Sequence, residues 1–251
     1  MAMRSRRGQV LVLAALTIAI TIISTQAYIY QLSKTETSDD WSTLSDYVLS
    51  IEQGSRHVVV ASLINVSRGG ATSNLRENLD RWESFVGGDY RFGRCDLNSS
   101  AISQPLYSQG VWLDWGTDGI GVSSASTDWT MNLSGRGTRV DWDFNVNITT
   151  TAIVTGSYTG MQGDAKQVTV FLNLLNEGGS TLAANVNLSH FTQGEWRDTT
   201  VLESYSQLDF GNGTYRYVFT DDIPGNQVQI RVQIYDRREV FVQAEASLSE
   251  E

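Results

Sequence analysis

Val140-Asp141-Trp142-Asp143-Phe144-Asn145-Val146-Asn147-Ile148 alternates without a break between apolar and polar side chains. Successive side chains of a strand point to opposite faces. The period of two therefore predicts a half-buried β-strand with Val140, Trp142, Phe144, Val146 and Ile148 on the apolar face. The same period recurs downstream at Val168-Val170-Leu172-Leu174, Val186-Leu188, Tyr215-Tyr217-Phe219, Val228-Ile230-Val232-Ile234 and Val240-Val242-Ala244-Ala246-Leu248. Turn-forming runs separate these segments at 176–179, 211–213 and 224–226. Short strands at this spacing, with no helices between them, predict antiparallel sheets stacked as a β-sandwich over 105–251.

Upstream the period changes. Leu44, Val48, Ile51, Ser55, Val58 and Ser62 fall on one helical face, and Leu75, Leu79, Trp82 and Val86 on another. Ser38 or Asp39 is placed to cap the first helix, Ser67-Arg68-Gly69-Gly70 to end it, and Asn74 with Glu77 to form a capping box for the second. The stretch 87–105 reads as a loop containing Cys95. Residues 34–104 are thus expected to be a helical stalk or hairpin followed by a loop.

The first thirty residues have a different character. Arg4, Arg6 and Arg7 precede Gly8-Gln9 and an apolar run from Val10 to Ile23, softening through Tyr30. Residues 10–30 would span about 30 Å as a helix, enough to cross a bilayer core. Basic residues flanking such a segment stay in the cytoplasm. The expected topology is single-pass in the cell membrane, with residues 1–33 forming the basic tip and anchor and the C-terminal head outside. An alternative is a cleaved secretory signal, for which Thr25-Gln26-Ala27 offers a small-x-small site.

Composition bounds the function. The chain has 251 residues and a net charge of −10. Without the three leading arginines, 15 basic residues face 28 acidic ones. That balance argues against nucleic acid as a partner. Cys95 is the single cysteine, so no intramolecular disulfide forms. Six Asn-x-Ser/Thr sequons, at Asn65, Asn98, Asn132, Asn147, Asn187 and Asn212, are candidate N-glycosylation sites for an exported chain.

Two resemblances add to this reading. Arg6-Arg7-Gly8-Gln9 opening an apolar helix resembles the class III (prepilin-type) signal of archaeal pilins and related surface proteins, and the N-terminus of bacterial tight-adherence pseudopilins. That resemblance implies cleavage between Gly8 and Gln9, with the apolar helix kept on the mature protein. Leu13 departs from the glutamate common at the fifth mature position, which weakens the case for filament assembly more than for insertion. Further on, Asp209-Phe210-Gly211-Asn212-Gly213-Thr214-Tyr215, followed by Ile223-Pro224-Gly225-Asn226, is similar to prokaryotic surface immunoglobulin-like domains. It implies an Ig-like module over 164–251.

No catalytic or metal-binding pattern stands out. His57, expected within the long helical face, and His190, expected in a strand, lack partners at ligand spacing, and Gly119-Ile120-Gly121 lacks a dinucleotide context. Asp141, Asp143, Asn145 and Asn147 would form an extended row along a strand, not a loop around an ion. Aromatic side chains can also form exposed platforms, and Trp112, Trp115 and Trp129 are the candidate contacts of that kind. The expectation is a mainly β protein with N-terminal helices: a transmembrane helix, a helical hairpin and a sandwich head. It has no cofactor and no enzymatic role. It serves as a pilin-like subunit or cell-envelope component that associates with itself or with other envelope proteins. The alternative is an anchored or secreted adhesin or ligand-binding module.

Overall fold

The alternating stretch at 140–148 belongs to a much longer strand, β4 (Thr138–Gly160). In this computed structural model, which describes residues 23–26, 44–90, 93–135 and 138–251, β4 serves two neighbours in turn. Its first part pairs with β3 (Ile120–Gly135), from Gly135 opposite Thr138 to Ile120 opposite Ile153. Its second part pairs on the other side with β5 (Ala165–Asn176), from Thr150 opposite Asn176 to Gly160 opposite Lys166. β1 (Arg94–Ala101) and β2 (Val111–Trp115) both pair with β3.

The remaining strands are β6 (Gly179–Ser180), β7 (Ala183–Thr192), β8 (Glu195–Asp198), β9 (Ser206–Asp209), β10 (Thr214–Asp222), β11 (Val228–Asp236) and β12 (Phe241–Glu250). Together they make one curled sheet. One arm runs β4-β5-β10-β9 and the other β8-β7-β11-β12. Every pairing is antiparallel except the short parallel seam of Ser249–Glu250 with Ser157–Tyr158, which joins β12 to β4. The fold is therefore mainly β, as the period of two predicts.

The curl follows from where the apolar faces go. Val154, Val168, Val170, Leu172, Tyr217 and Phe219 of one arm share a single buried cluster with Leu188, Ile230, Val232, Ile234, Val242 and Ala244 of the other. Each strand contributes alternate residues, as a half-buried strand must. β12 also crosses the start of β3 closely. Gly119 N donates to Glu245 O (2.7 Å) and Glu245 N to Gly116 O (3.0 Å). A side chain at Gly121 would overlap the Gln243 carbonyl, so glycine is what permits the crossing.

The chain divides into two compact units, residues 1–52 and 53–251. In the first, the described backbone at 23–26 and 44–52 is helical. The second holds every strand among the described residues. Helical backbone runs over 44–67 (α1), and α2 covers Ser73–Asp89. Within the second unit the hairpin is tied by serines. Trp82 Nε1 donates to Ser55 Oγ (2.9 Å) and Asn78 Nδ2 to Ser62 Oγ (3.0 Å). α2 packs on β1, with Arg76 Nη1 on Ser99 O (3.0 Å) and Ser99 N on Glu83 Oε1 (2.7 Å).

Several local expectations change. The buried face of α1 carries Ser55, Val59, Ser62, Leu63 and Val66, with Val58 only half-buried and His57 exposed. α2 begins after Thr72, and Asn74 donates to Asn65 Oδ1 instead of closing a capping box. The stretch 87–105 carries β1, whose Cys95 and Leu97 are buried against Leu133 and Met131. Trp142, placed by its period on the apolar face, is 46% exposed. Gly8, Gln9, most of the 10–30 segment and the caps at Ser38 and Asp39 lie outside the described residues. Among the described residues no helix is long and apolar enough to cross a membrane.

Candidate interaction surfaces

Of the three candidate aromatic contacts, Trp129 is buried and Trp112 and Trp115 are half-buried. Trp129 is 1% exposed, its Nε1 donating to Thr127 Oγ1 (2.8 Å) and its ring stacked on Phe144 with centroids 5.9 Å apart. Its exposure is overturned by register. Trp129 points to the same sheet face as Leu97, Met131 and Leu133. Trp115 is half-buried, donating to Ser123 Oγ (3.2 Å) with its edge on Phe241. Trp112 is half-buried beside Tyr107. The tryptophan that does reach solvent on the sheet is Trp142. It lies where β4 has β3 on one side and, among the described residues, no ladder partner on the other before Thr150.

The opposite face of this sheet is polar. Register aligns Asp96, Asn132 and Asp141 in one row and Asn98, Thr130 and Asp143 in the next. Asp141, Asp143, Asn145 and Asn147 are all exposed, and Asn145 Nδ2 donates to Asp128 Oδ1 (2.8 Å). Among the described residues no group of three His, Cys, Asp or Glu side chains could hold a metal ion. Three sequons, Asn98, Asn132 and Asn147, share this face. Asn98 and Asn147 are exposed there and Asn132 is half-buried. Asn65, Asn187 and Asn212 are exposed elsewhere, although Asn65 Oδ1 accepts from Asn74 and Asn212 Oδ1 from Thr214 N (3.1 Å).

The buried ionisable groups hold the fold together. Asp236, fully buried, accepts at Oδ1 from Arg238 N (2.8 Å) and Val240 N (2.9 Å). Its Oδ2 accepts from Arg238 Nε (2.9 Å) and Thr150 Oγ1 (3.0 Å). Arg238 continues to Glu177 Oε1 (2.6 Å) and Thr149 O (3.2 Å), so one turn locks three segments. Lys166 Nζ donates to the carbonyls of Ile223 (2.7 Å) and Gly225 and lies 4.8 Å from the centre of the Tyr158 ring. His190 is buried, with Nε2 2.8 Å from Asp221 Oδ2 and no hydrogen-bond partner at Nδ1 among the described residues. Burial lowers the His190 pKa, and the Asp221 carboxylate only partly opposes this. Chain order could not reveal the pairings of Asp236 with Thr150, Lys166 with Ile223 and His190 with Asp221, whose members lie tens of residues apart.

A shallow groove of about 450 Å³ runs along the helical hairpin, lined by Val58, Ala61, Asn78, Arg81, Trp82 and Phe85. Phe85 is 60% exposed and stacks on Trp82 with centroids 5.5 Å apart. No known protein family matches the chain, and no curated protein matches it.

Proposed function

We propose that the chain is a membrane-anchored extracytoplasmic structural protein, a pilin-like subunit or cell-envelope component. Residues 10–30 are its anchor and its β-rich part is the displayed head. The observation that carries this reading is the N-terminal arrangement: Arg4, Arg6, Arg7 and Gly8-Gln9 opening a long apolar run, followed by an acidic, sequon-rich remainder. The head supports it in a second way. Its buried charged and polar groups tie strands and turns together, and its exposed surface is acidic and rich in candidate glycan acceptors.

Within this reading the curled sheet is a β-sandwich, and 164–251 is its Ig-like module. The glycine motif at 209–215 favours that view. Gly211 and Gly213 have positive φ (76° and 82°), and a Cβ at Gly213 would overlap the Thr181 carbonyl. Asp209 Oδ1 caps Gly211 N (2.7 Å). A second reading, an anchored adhesin or ligand-binding module, is favoured by the exposed Trp142 and by the Trp82–Phe85 groove.

Alkaline carbonate extraction of native membranes, combined with protease treatment of intact cells, tests the proposal. The chain should stay with the pellet while its head is trimmed from outside. Release into the carbonate supernatant would overturn the anchored reading and direct attention to the secreted binding module.

A further inference from the structure

Six of the thirteen asparagines open an Asn-x-Ser/Thr sequon. Serine and threonine fill 50 of 251 positions, so composition alone accounts for about two or three. The fold separates the six. A sequon is presented when its asparagine amide and the hydroxyl two residues on stand together in solvent. In a strand, residues i and i+2 share a face, so an outward asparagine brings its hydroxyl with it. In a helix, two residues are about 200° apart and the hydroxyl turns away. At Asn65 this puts Ser67 in the core, with its Oγ donating to Ile64 O (3.2 Å). At Asn212 a tight turn intervenes, Gly213 is buried, and Thr214 Oγ1 donates to Asn173 Oδ1 (2.8 Å). Asn187 is exposed by itself on β7.

Asn98 and Asn147 meet the requirement together, on the polar face of the β1–β3–β4 ribbon. Cys95 and Leu97 of β1, and Val146 and Ile148 of β4, are buried. Asn98 with Ser100, and Asn147 with Thr149, therefore point the other way. Both asparagines and Ser100 are exposed. Asn147 Oδ1 accepts from Thr149 Oγ1 (3.2 Å) and Ser124 Oγ (3.5 Å). Its Nδ2, the atom that would carry a sugar, has no hydrogen-bond partner among the described residues, and neither has the Asn98 side chain. Asn132 lies in the central strand of the same face, half-buried between Asp96 and Asp141. It is diagonal to Asn98, about 7–8 Å away, a spacing that crowds a second saccharide. Asn98 aligns through Thr130 with Asp143, four residues short of Asn147. Two strands across and four residues along make roughly 16 Å, room for one saccharide each.

We infer that Asn98 and Asn147 are sites of N-linked glycosylation, each taking a saccharide from a lipid-phosphate-linked donor. In the transfer, Nδ2 bonds to the anomeric carbon as the bond from that carbon to the phosphate oxygen breaks. The lipid phosphate leaves with the bonding electrons and Nδ2 gives up one proton to solvent, so nothing is oxidised or reduced. Saccharides at these two positions flank the exposed acids Asp128, Asp141 and Asp143 on the same face. That face of the ribbon is then turned to solvent rather than to a neighbouring protein. The inference rests on the proposed function in one respect only, that the head is exported.

Peptide mapping by mass spectrometry of the full chain from native membranes, with fragmentation that keeps the sugar on its residue, tests the inference. The peptides holding Asn98 and Asn147 should each carry a saccharide mass. Made in the native host, Asn98→Gln and Asn147→Gln should each lower the intact mass by one saccharide, and the double variant by two. Thr149→Ala should act as Asn147→Gln does, although the asparagine remains, while Thr149→Ser should keep the sugar. That pair separates a lost sequon from a misfolded chain. Either wild-type peptide found wholly at its unmodified mass would overturn the inference, as would a Thr149→Ala chain that keeps its sugar on Asn147. A glycosylated chain released by carbonate would leave the inference standing and count against the anchored reading alone. A membrane-retained, protease-trimmed chain bare at both asparagines would do the opposite.

Discussion

The turn between β11 and β12 gives the sharpest quantitative prediction. Asp236→Ala removes four hydrogen bonds at once from a side chain with no solvent exposure. Arg238 retains Glu177 and Thr149, so its charge is not orphaned. The loss falls instead on the amides of Arg238 and Val240, whose acceptor is Asp236 Oδ1. Two unsatisfied donors at about 1–3 kcal/mol each, within the range for breaking a buried ion pair, put the cost at about 3–5 kcal/mol. For a unit of this size that is a fall in melting temperature on the order of 10 °C. Glu177→Ala is the control. That side chain is 33% exposed and leaves the Asp236–Arg238 pair intact, so about 1 kcal/mol or less is expected. Urea titration followed by tryptophan fluorescence and far-UV circular dichroism measures both, and coincident curves establish two-state behaviour. Equal costs for the two variants, or an Asp236→Ala cost below about 1 kcal/mol, would refute the assignment of this turn as the lock.

Other predictions follow from burial. His190 has a folded-state pKa below its ordinary value, so the unfolded chain binds the extra proton first as pH falls. Stability should be full above about pH 6.5, the ordinary histidine value. It should decline as the solution is acidified through that range towards the lowered pKa. In His190→Gln this histidine component of the pH dependence should disappear, whatever the variant's absolute stability. Trp129→Ala should cost about 3–5 kcal/mol, as expected for a buried large aromatic. Trp142→Ala, on the same face of the neighbouring strand, should stay within roughly 0.5 kcal/mol. Matching costs for the two would contradict the burial described for the β3–β4 ribbon.

That last contrast marks what the sequence disclosed. Alternation assigned Trp142 and Ile148 to one face of one strand, and both lie on it. It could not say that cover thins towards the edge, because burial depends on which elements lie over each position. The same limit explains Trp129, which its register with Ser99 and Phe144 buries. β1 was missed because Arg94–Ala101 has only Cys95 and Leu97 as large apolar groups at period two, too few to announce a strand. The downstream strands were legible because β5, β10, β11 and β12 each repeat the pattern over several residues between glycine or asparagine turns. The pairs that lock the fold, His190 with Asp221 and Asp236 with Thr150, join residues 31 and 86 positions apart and have no local signal.

The central claim is that the apolar N-terminal helix stays on a displayed β head. Intact mass and N-terminal sequence of the protein from native membranes test it most directly. The account predicts a chain beginning at Gln9, with the arginine-rich tip removed and residues 10–30 retained. A chain beginning at Tyr28 would contradict it, because the head would then have left its anchor behind.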